Sequence, residues 1–404
     1  MGVELKEIFE SAVNNSLFKN KSVLQVKYTP ESIPHRDKQI KSLAGTLASA
    51  LRGERPSNLF IYGKTGTGKT LSVIYVRDEL VKKAEELDVN VRFEYLNCKL
   101  KKVADTEYRI LAALIGQLGG EVPSTGLPTD QIWSKFIELV DTKKQLVVFI
   151  FDEIDQAIKK ISDNFLYSLT RLNQELTKAQ ISLIGISNDV TFLENIDPRV
   201  RSSLGEEEFV FAPYNAIQLQ DILNERCNLA FKEGAISEGV IAKCAAYAAR
   251  EHGDARRALD LLRIAGELSE REGKKIVSEE YIDLANLKME KDKILDIISS
   301  EPKQFQLVLY SILQLTKKAK EDKIDKFFTG DVYNGYQELC NKTKTDVLTQ
   351  RRISDILAEI DMIGLINAKI ISKGRHGRTR EIKLSLPSNL FDRVEKILEE
   401  SLFF

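Results

Sequence analysis

A chain of 404 residues, 43% of them hydrophobic, is long enough for two or three domains with substantial cores. Its 59 Lys and Arg against 60 Asp and Glu leave a formal charge of −1, which excludes a globally basic surface, so any hold on nucleic acid must come from a local patch. Four scattered cysteines (Cys98, Cys227, Cys244, Cys340) and three histidines (His35, His252, His376) argue against a zinc site or disulfide framework, and the lack of an apolar signal core or of about twenty consecutive apolar residues points to a cytoplasmic protein.

Residues 1–30 read as a charged lead-in, which Tyr28-Thr29-Pro30 and Ile33-Pro34-His35-Arg36 break before a helix expected at Asp37–Leu51. The apolar strand Leu59-Phe60-Ile61-Tyr62 then runs into Gly63-Lys64-Thr65-Gly66-Thr67-Gly68-Lys69-Thr70 and a second apolar stretch. That is a complete G-x-x-x-x-G-K-T phosphate loop between a strand and a helix. The glycines let the backbone curl until amide N–H groups and the helix N-terminus meet phosphate oxygens. Lys69 reaches the β and γ phosphates, and Thr70 offers its hydroxyl to Mg²⁺.

Leu146–Phe151 is a bare apolar run of the length of a buried parallel strand, and it ends in Asp152-Glu153. Asp152 is suited to hold the water shell of Mg²⁺ and Glu153 to orient the water that attacks the γ phosphate. The same acids could instead cap the helix that starts near Ile154. A third strand, Ile181–Ile186, ends in Ser187-Asn188, where an amide could hold the attacking water or serve as an ordinary turn residue. Strands and helices alternate up to about Phe211, the order of a parallel sheet covered on both faces.

Only helical segments follow, at Ala216–Lys232, Ser237–Arg250, Asp254–Glu272 and Ser278–Lys288, which suggests a small helical lid. Asp254 is available as an N-cap, and Arg256 in the first turn either pairs with Asp260 at i, i+4 spacing or points across the cleft to the γ phosphate. A charged stretch, Lys288–Lys293, precedes three helices, Gln304–Leu315, Asp331–Asn341 and Leu348–Ile363, and two strands, Leu365–Ile371 and Arg380–Leu386. Three helices and a hairpin make a winged helix, whose third helix can enter a major groove. From Asn341 to Lys383 there are ten Lys or Arg against five Asp or Glu, the local patch that the overall charge requires. Gln350, Arg351 and Arg352 lie where base-edge contacts are usual, and Thr345 and Thr349 are placed for phosphates. Lys373, Arg375, Arg378 and Arg380 at the hairpin suit phosphates or a narrow minor groove.

Together these residues resemble the archaeal AAA+ initiators, relatives of eukaryotic origin-recognition and helicase-loading subunits. The likeness covers nearly the whole chain: Pro34-His35-Arg36, the phosphate loop, Asp152-Glu153, Ser187-Asn188, Asp197-Pro198-Arg199-Val200-Arg201, Pro213-Tyr214 and Gly253-Asp254-Ala255-Arg256-Arg257. It implies an α/β AAA+ P-loop core at 31–212, a helical lid at 213–290 and a winged helix at 300–404. By the same resemblance Asn188 is the first sensor, Arg256 the second, and Arg199 or Arg201 a finger presented to a neighbour's nucleotide, unless these arginines merely pair with Glu206-Glu207-Glu208. Pro34, His35, Arg36, Tyr214 and Arg226 are implied as the surroundings of the adenine. The family's inserted helical hairpin, which touches DNA in relatives, falls at Asp105–Ile132, where Arg109 is the obvious cation. The implied cofactors are ATP or ADP with Mg²⁺. The implied partners are double-stranded origin DNA, the replicative helicase and other copies or paralogues at the nucleoid. Two other readings fit the same residues: a clamp-loader or transposition-type ATPase, and a winged-helix transcription regulator that holds nucleotide as a structural ligand.

Overall fold

The computed structural model describes residues 16–25, 27–99, 105–123, 126–204, 206–322, 327–372 and 378–403. The chain divides into two compact units, one ending at Ala285 and the other beginning at Asn286. No helix among the described residues is long and apolar enough to cross a membrane.

The first unit is built on a five-stranded, all-parallel sheet. Its strands are β1 (Asn58–Tyr62), β2 (Val91–Asn97), β3 (Leu146–Asp152), β4 (Gln180–Ser187) and β5 (Glu206–Val210), in the order β2-β3-β4-β1-β5. Because successive strand residues point to opposite faces, Phe60, Phe149 and Phe151 enter one apolar cluster while Leu59, Ile61, Val148 and Ile150 enter another. The register opposes Tyr62 to Ser187, and Asp152 to both Asn97 and Ile186. The carboxyl ends of β1 to β4 therefore lie level, and whatever follows them shares one edge of the sheet, where open α/β sheets bind ligands.

The expected helix at Asp37–Leu51 is α1 (Asp37–Leu47) followed by a tighter 3₁₀ turn at Ala48–Arg52, which Gly53 ends with φ 71°. The phosphate loop feeds α2 (Lys69–Glu86). The hairpin expected at Asp105–Ile132 is α3 (Glu107–Gln117) and α4 (Thr129–Val140), so it runs past Ile132. Ile110, Leu111, Leu114 and Ile115 from α3, with Ile132, Phe136 and Val140 from α4, are all buried in the cluster on one face of the sheet. The hairpin is thus part of the core wall, held there by the apolar stripe on each helix. Arg109 pairs with Asp105 at 3.2 Å.

After β3 come α5 (Ile154–Ile161) and α6 (Asn164–Arg171), and after β4 the short α7 (Pro198–Leu204). The lid helices are α8 (Ala216–Ala230), α9 (Val240–Arg250), α10 (Ala255–Arg271) and the start of α11 (Glu279–Ser300), whose residues from Asn286 onward belong to the second unit. The helix expected to end at Lys288 instead runs on through the charged stretch Lys288–Lys293 as α11; Lys and Glu are good helix formers, and no Gly or Pro interrupts the run before Pro302.

The second unit contains α12 (Lys303–Asp322), α13 (Thr329–Thr343) and α14 (Gln350–Met362). A sheet of β6 (Phe327–Phe328), β8 (Arg378–Leu384) and β7 (Ile366–Ser372), in that antiparallel order, completes the winged helix. The two-residue β6 and a terminal helix, α15 (Phe391–Phe403), were not foreseen. Val394, Leu398 and Leu402 bury the inner face of α15 in the unit's core, and Tyr310 donates to Glu399 at 2.8 Å.

Candidate nucleotide site and nucleic-acid interface

The loop after β1 owes its shape to close approaches that only glycine permits. Gly66 has φ 68°, and a Cβ there would lie 1.7 Å from Oδ1 of Asp254. That lid carboxylate caps α10, accepting from the N–H of Arg256 at 2.8 Å and of Arg257 at 3.3 Å, while the N–H of Ala255 donates to the Gly66 carbonyl at 3.2 Å. The loop and lid are therefore stitched backbone to backbone. Thr67 is turned inward, its hydroxyl donating to the Lys64 carbonyl at 2.9 Å.

Lys69 is buried, and its ammonium donates to the carbonyls of Gly63 at 2.6 Å and Lys64 at 2.8 Å and to Oδ1 of Asn188 at 2.8 Å. Burial pulls its pKa down to about 8, with the Asp152 carboxylate opposing the fall. The Thr70 hydroxyl donates to Oδ2 of Asp152 at 3.0 Å, and the same oxygen accepts from the hydroxyl of Tyr95 at 2.7 Å. Burial, followed by that carboxylate, holds the Tyr95 phenol above its usual range, so it stays a donor. Glu153 sits in the left-handed region at φ 55°, a strained conformation that turns it off the strand end, and Lys99 approaches its carboxylate at 3.4 Å. Asp155, also buried, accepts from the Ser187 hydroxyl at 3.1 Å, next to Asn188.

Lys69, Thr70, Tyr95, Asp152, Glu153 and Asn188 face a cavity of about 280 Å³. Its lining holds the polar set Thr65 to Thr70, Asp152, Glu153, Asn188 and Arg256, and with them Tyr28, Pro30, Pro34, Tyr214, Ile222, Arg226 and Leu259. Arg226 is buried, with its guanidinium carbon 4.5 Å from the centre of the Tyr28 ring, and its Nη1 finds no hydrogen-bond partner among the described residues. Phosphate-loop groups and apolar, aromatic side chains with one buried donor, lining one cavity, form a cradle for a nucleotide.

Not every expected residue lines that cavity. Arg36 braces it from behind: Nε donates to the Thr67 carbonyl at 2.8 Å, Nη2 to the Ala212 carbonyl at 2.6 Å, and the guanidinium stacks 3.8 Å from the Tyr214 ring centre. His35 is directed to Asp221, at 2.9 Å. Arg199 and Arg201 are also off the cavity; Arg199 pairs with Asp197 at 2.8 Å and Arg201 with Glu208 at 3.5 Å. The pair expected between Arg256 and Asp260 gives way to one between Arg263 and Asp260 at 2.8 Å. Asp254 caps α10 as the sequence suggested, whereas Tyr95 and Asp155 escaped the sequence reading. A strand tyrosine and a helix-start acid carry no motif, and only the neighbouring strands give them partners.

In the second unit, Gln350 and Arg351 are exposed in the first turn of α14. Thr349 caps that helix, accepting from the N–H of Arg352 at 3.4 Å, and the Thr345 hydroxyl donates to the Thr343 carbonyl at 3.3 Å. Arg352 lies 3.9 Å from Asp355 and 3.8 Å from Glu359. Arg380 ties the wing to the helix, its Nη1 donating to the Ser354 carbonyl at 2.5 Å. Lys373 and Arg375 lie outside the described residues, as does the side chain of Arg378.

Comparison with known proteins agrees with this assembly of parts. Residues 52–191 match an AAA domain, residues 220–287 the Cdc6 AAA+ ATPase-type lid domain, and residues 296–394 the CDC6 C-terminal winged helix domain. The ORC1-type DNA replication protein 1 of Methanosarcina mazei is 49% identical over 397 residues, covering 98% of this chain and 94% of the relative. The ORC1-type DNA replication protein of Pyrococcus furiosus is also 49% identical, over 96% of this chain and 91% of its own length. Among solved structures, the Aeropyrum pernix ORC1 protein in complex with DNA superposes with a TM-score of 0.80 at 41% identity, covering 95% of this chain and 97% of its own. With a nucleotide-binding AAA+ core, a Cdc6-type lid and a winged helix, the chain belongs to the archaeal ORC1-type DNA replication proteins.

Proposed function

We propose that this protein is an ATP-dependent replication initiator that binds double-stranded origin DNA through its winged helix and helps place the replicative helicase there, with ATP hydrolysis as a switch. The observation that carries the reading is the convergence of Lys69, Thr70, Asp152 and Asn188 at one sheet edge, in a chain that also holds a winged helix. The relative from A. pernix, solved in complex with DNA, supports the DNA half.

In this reading Lys69 leaves the loop carbonyls that hold it for the β and γ phosphates, and Arg256 contacts the γ phosphate from the lid. Glu153 orients the attacking water, with Asn188 holding the same water or a phosphate oxygen. Arg199 or Arg201 would act on a neighbouring copy's nucleotide. Thr70 and Asp152 suit Mg²⁺: a hydroxyl and a carboxylate share one edge of the cavity, and no cage of three His, Cys, Asp or Glu exists among the described residues, as befits a metal that keeps waters and takes phosphate oxygens. When bound, that ion neutralises charge on the phosphates. Pro34, Tyr214 and Arg226 would surround the adenine, while Arg36 and His35 support the pocket from outside it. Gln350 and Arg351 would read base edges, with Arg352, Thr345, Thr349, Lys373, Arg375, Arg378 and Arg380 serving the backbone.

Genome-wide footprinting with the full chain, with and without ATP, tests the reading. Protection concentrated at a few replication origins and dependent on ATP is expected. Protection spread over promoters and indifferent to nucleotide would replace it with a transcription regulator.

A further inference from the structure

Tyr95 belongs to none of the motifs above, yet it reaches the carboxylate at the centre of the site. It stands on β2 opposite Ile150 of β3, two residues before the Asn97–Asp152 pair, and its ring packs against the cluster on one face of the sheet. Packing alone would be served by phenylalanine. The hydroxyl, however, donates to Oδ2 of Asp152 at 2.7 Å, and Thr70 donates to that same oxygen at 3.0 Å. Two hydroxyls thus converge on one oxygen of a carboxylate that is only 7% exposed, and Oδ1 has no hydrogen-bond partner among the described residues. All three side chains border the nucleotide cavity.

We propose that Tyr95 is a positioning residue for the magnesium ion of the nucleotide site, its hydroxyl holding Oδ2 of Asp152 so that Oδ1 is left for the metal's water shell. The inference rests on the nucleotide and magnesium reading above. An aspartate's terminal torsion is broad and nearly two-fold, so a carboxylate without a fixed partner exchanges its two oxygens freely. A neutral phenol pins it without cancelling the charge that attracts the cation. Outer partners of direct metal ligands are worth about 10- to 100-fold in metal affinity or activity, and Tyr95, which acts through Asp152 and the water shell, belongs at the lower end.

The test follows binding of N-methylanthraniloyl-ADP by fluorescence as Mg²⁺ is titrated into the full chain from an EDTA-treated start, comparing the unaltered protein with Tyr95→Phe. Equal nucleotide affinity in EDTA is expected, with a half-saturating Mg²⁺ concentration about tenfold higher for the variant. The same half-saturation in both proteins would overturn the role of Tyr95. Lower affinity of Tyr95→Phe already in EDTA would also overturn it, by showing that the residue shapes the pocket. If Mg²⁺ leaves nucleotide binding by the unaltered chain unchanged, the magnesium reading itself fails, and this role with it.

Discussion

The ammonium of Lys69 donates to Oδ1 of Asn188 at 2.8 Å, joining the phosphate loop after β1 to the end of β4. The two residues are far apart in the chain, but Tyr62 and Ser187, which precede their respective loops, are register partners. With the carbonyls of Gly63 and Lys64, that amide oxygen gives the cation three neutral acceptors, weaker partners for it than phosphate oxygens.

Removing that cation should cost nucleotide binding, whereas changing the neighbouring acid should cost cleavage. Lys69→Ala is expected to weaken ATP binding by about 3 kcal/mol, roughly a hundredfold, by leaving phosphate charge unpaired in a confined site. Glu153→Gln should bind ATP as the parent does and lose at least about a hundredfold in turnover. Equilibrium binding and single-turnover hydrolysis separate the two, and undiminished turnover by Glu153→Gln would remove it from the mechanism.

Binding should also take up a proton in mildly alkaline solution. Burial holds Lys69 at about 8 in the free protein, below its usual range, so part of the population is neutral above that pH. Phosphate oxygens favour the charged form and raise the pKa, so a proton enters with the nucleotide between the free and bound values. Calorimetry at pH 8.5 in buffers of different ionisation enthalpy should show proton uptake, which falls to nothing near pH 6.5 and is absent in Lys69→Met.

The stitch between loop and lid is open to a one-atom test. Gly66→Ala places a Cβ against Asp254 and asks an alanine to hold φ 68°, a conformation that costs an L residue roughly 1 to 2 kcal/mol even in open space. Nucleotide affinity should collapse, and the thermal midpoint should fall by several degrees. An unaltered midpoint would mean that lid and loop separate easily.

Among the described residues, the side chains of Arg199 and Arg201 pair with Asp197 and Glu208 on the surface, pairs of a kind worth little. Either can therefore turn to a neighbour. Arg199→Ala and Arg201→Ala should each bind ATP normally, and the one that supplies the finger should regain part of its hydrolysis when mixed with Lys69→Ala on DNA. No restoration in any mixture would make the site self-contained.

On the winged helix, charge and base reading should separate. Arg378→Ala should weaken binding to specific and unrelated duplexes alike and reduce the salt slope by about one unit. Arg351→Ala or Gln350→Ala, if either meets a base edge, should cost roughly 1 to 3 kcal/mol on the preferred site and little elsewhere. Arg380→Ala should exceed Arg378→Ala, because Arg380 also fastens the wing to the carbonyl of Ser354. Titrations against an origin-derived and a scrambled duplex at several salt concentrations distinguish these outcomes.

The amino-acid sequence alone determined the class of fold, the phosphate loop, the acid pair and the winged helix, because each is a local pattern: glycines at set spacing, apolar runs of strand length, helical periodicity. It also showed where elements end when a breaker stands there, and misjudged α11, whose charged residues are as good in a helix as beside one. Only the tertiary structure decided which neighbours those patterns meet. The strand order brought Tyr95 beside Asp152, and the lid brought Asp254 under Gly66. Burial made the hairpin of α3 and α4 part of the core and turned Arg36 to the back of the loop while Arg226 faced the cavity. These are contacts between residues distant in the chain, and no spacing along a sequence encodes which strand lies next to which.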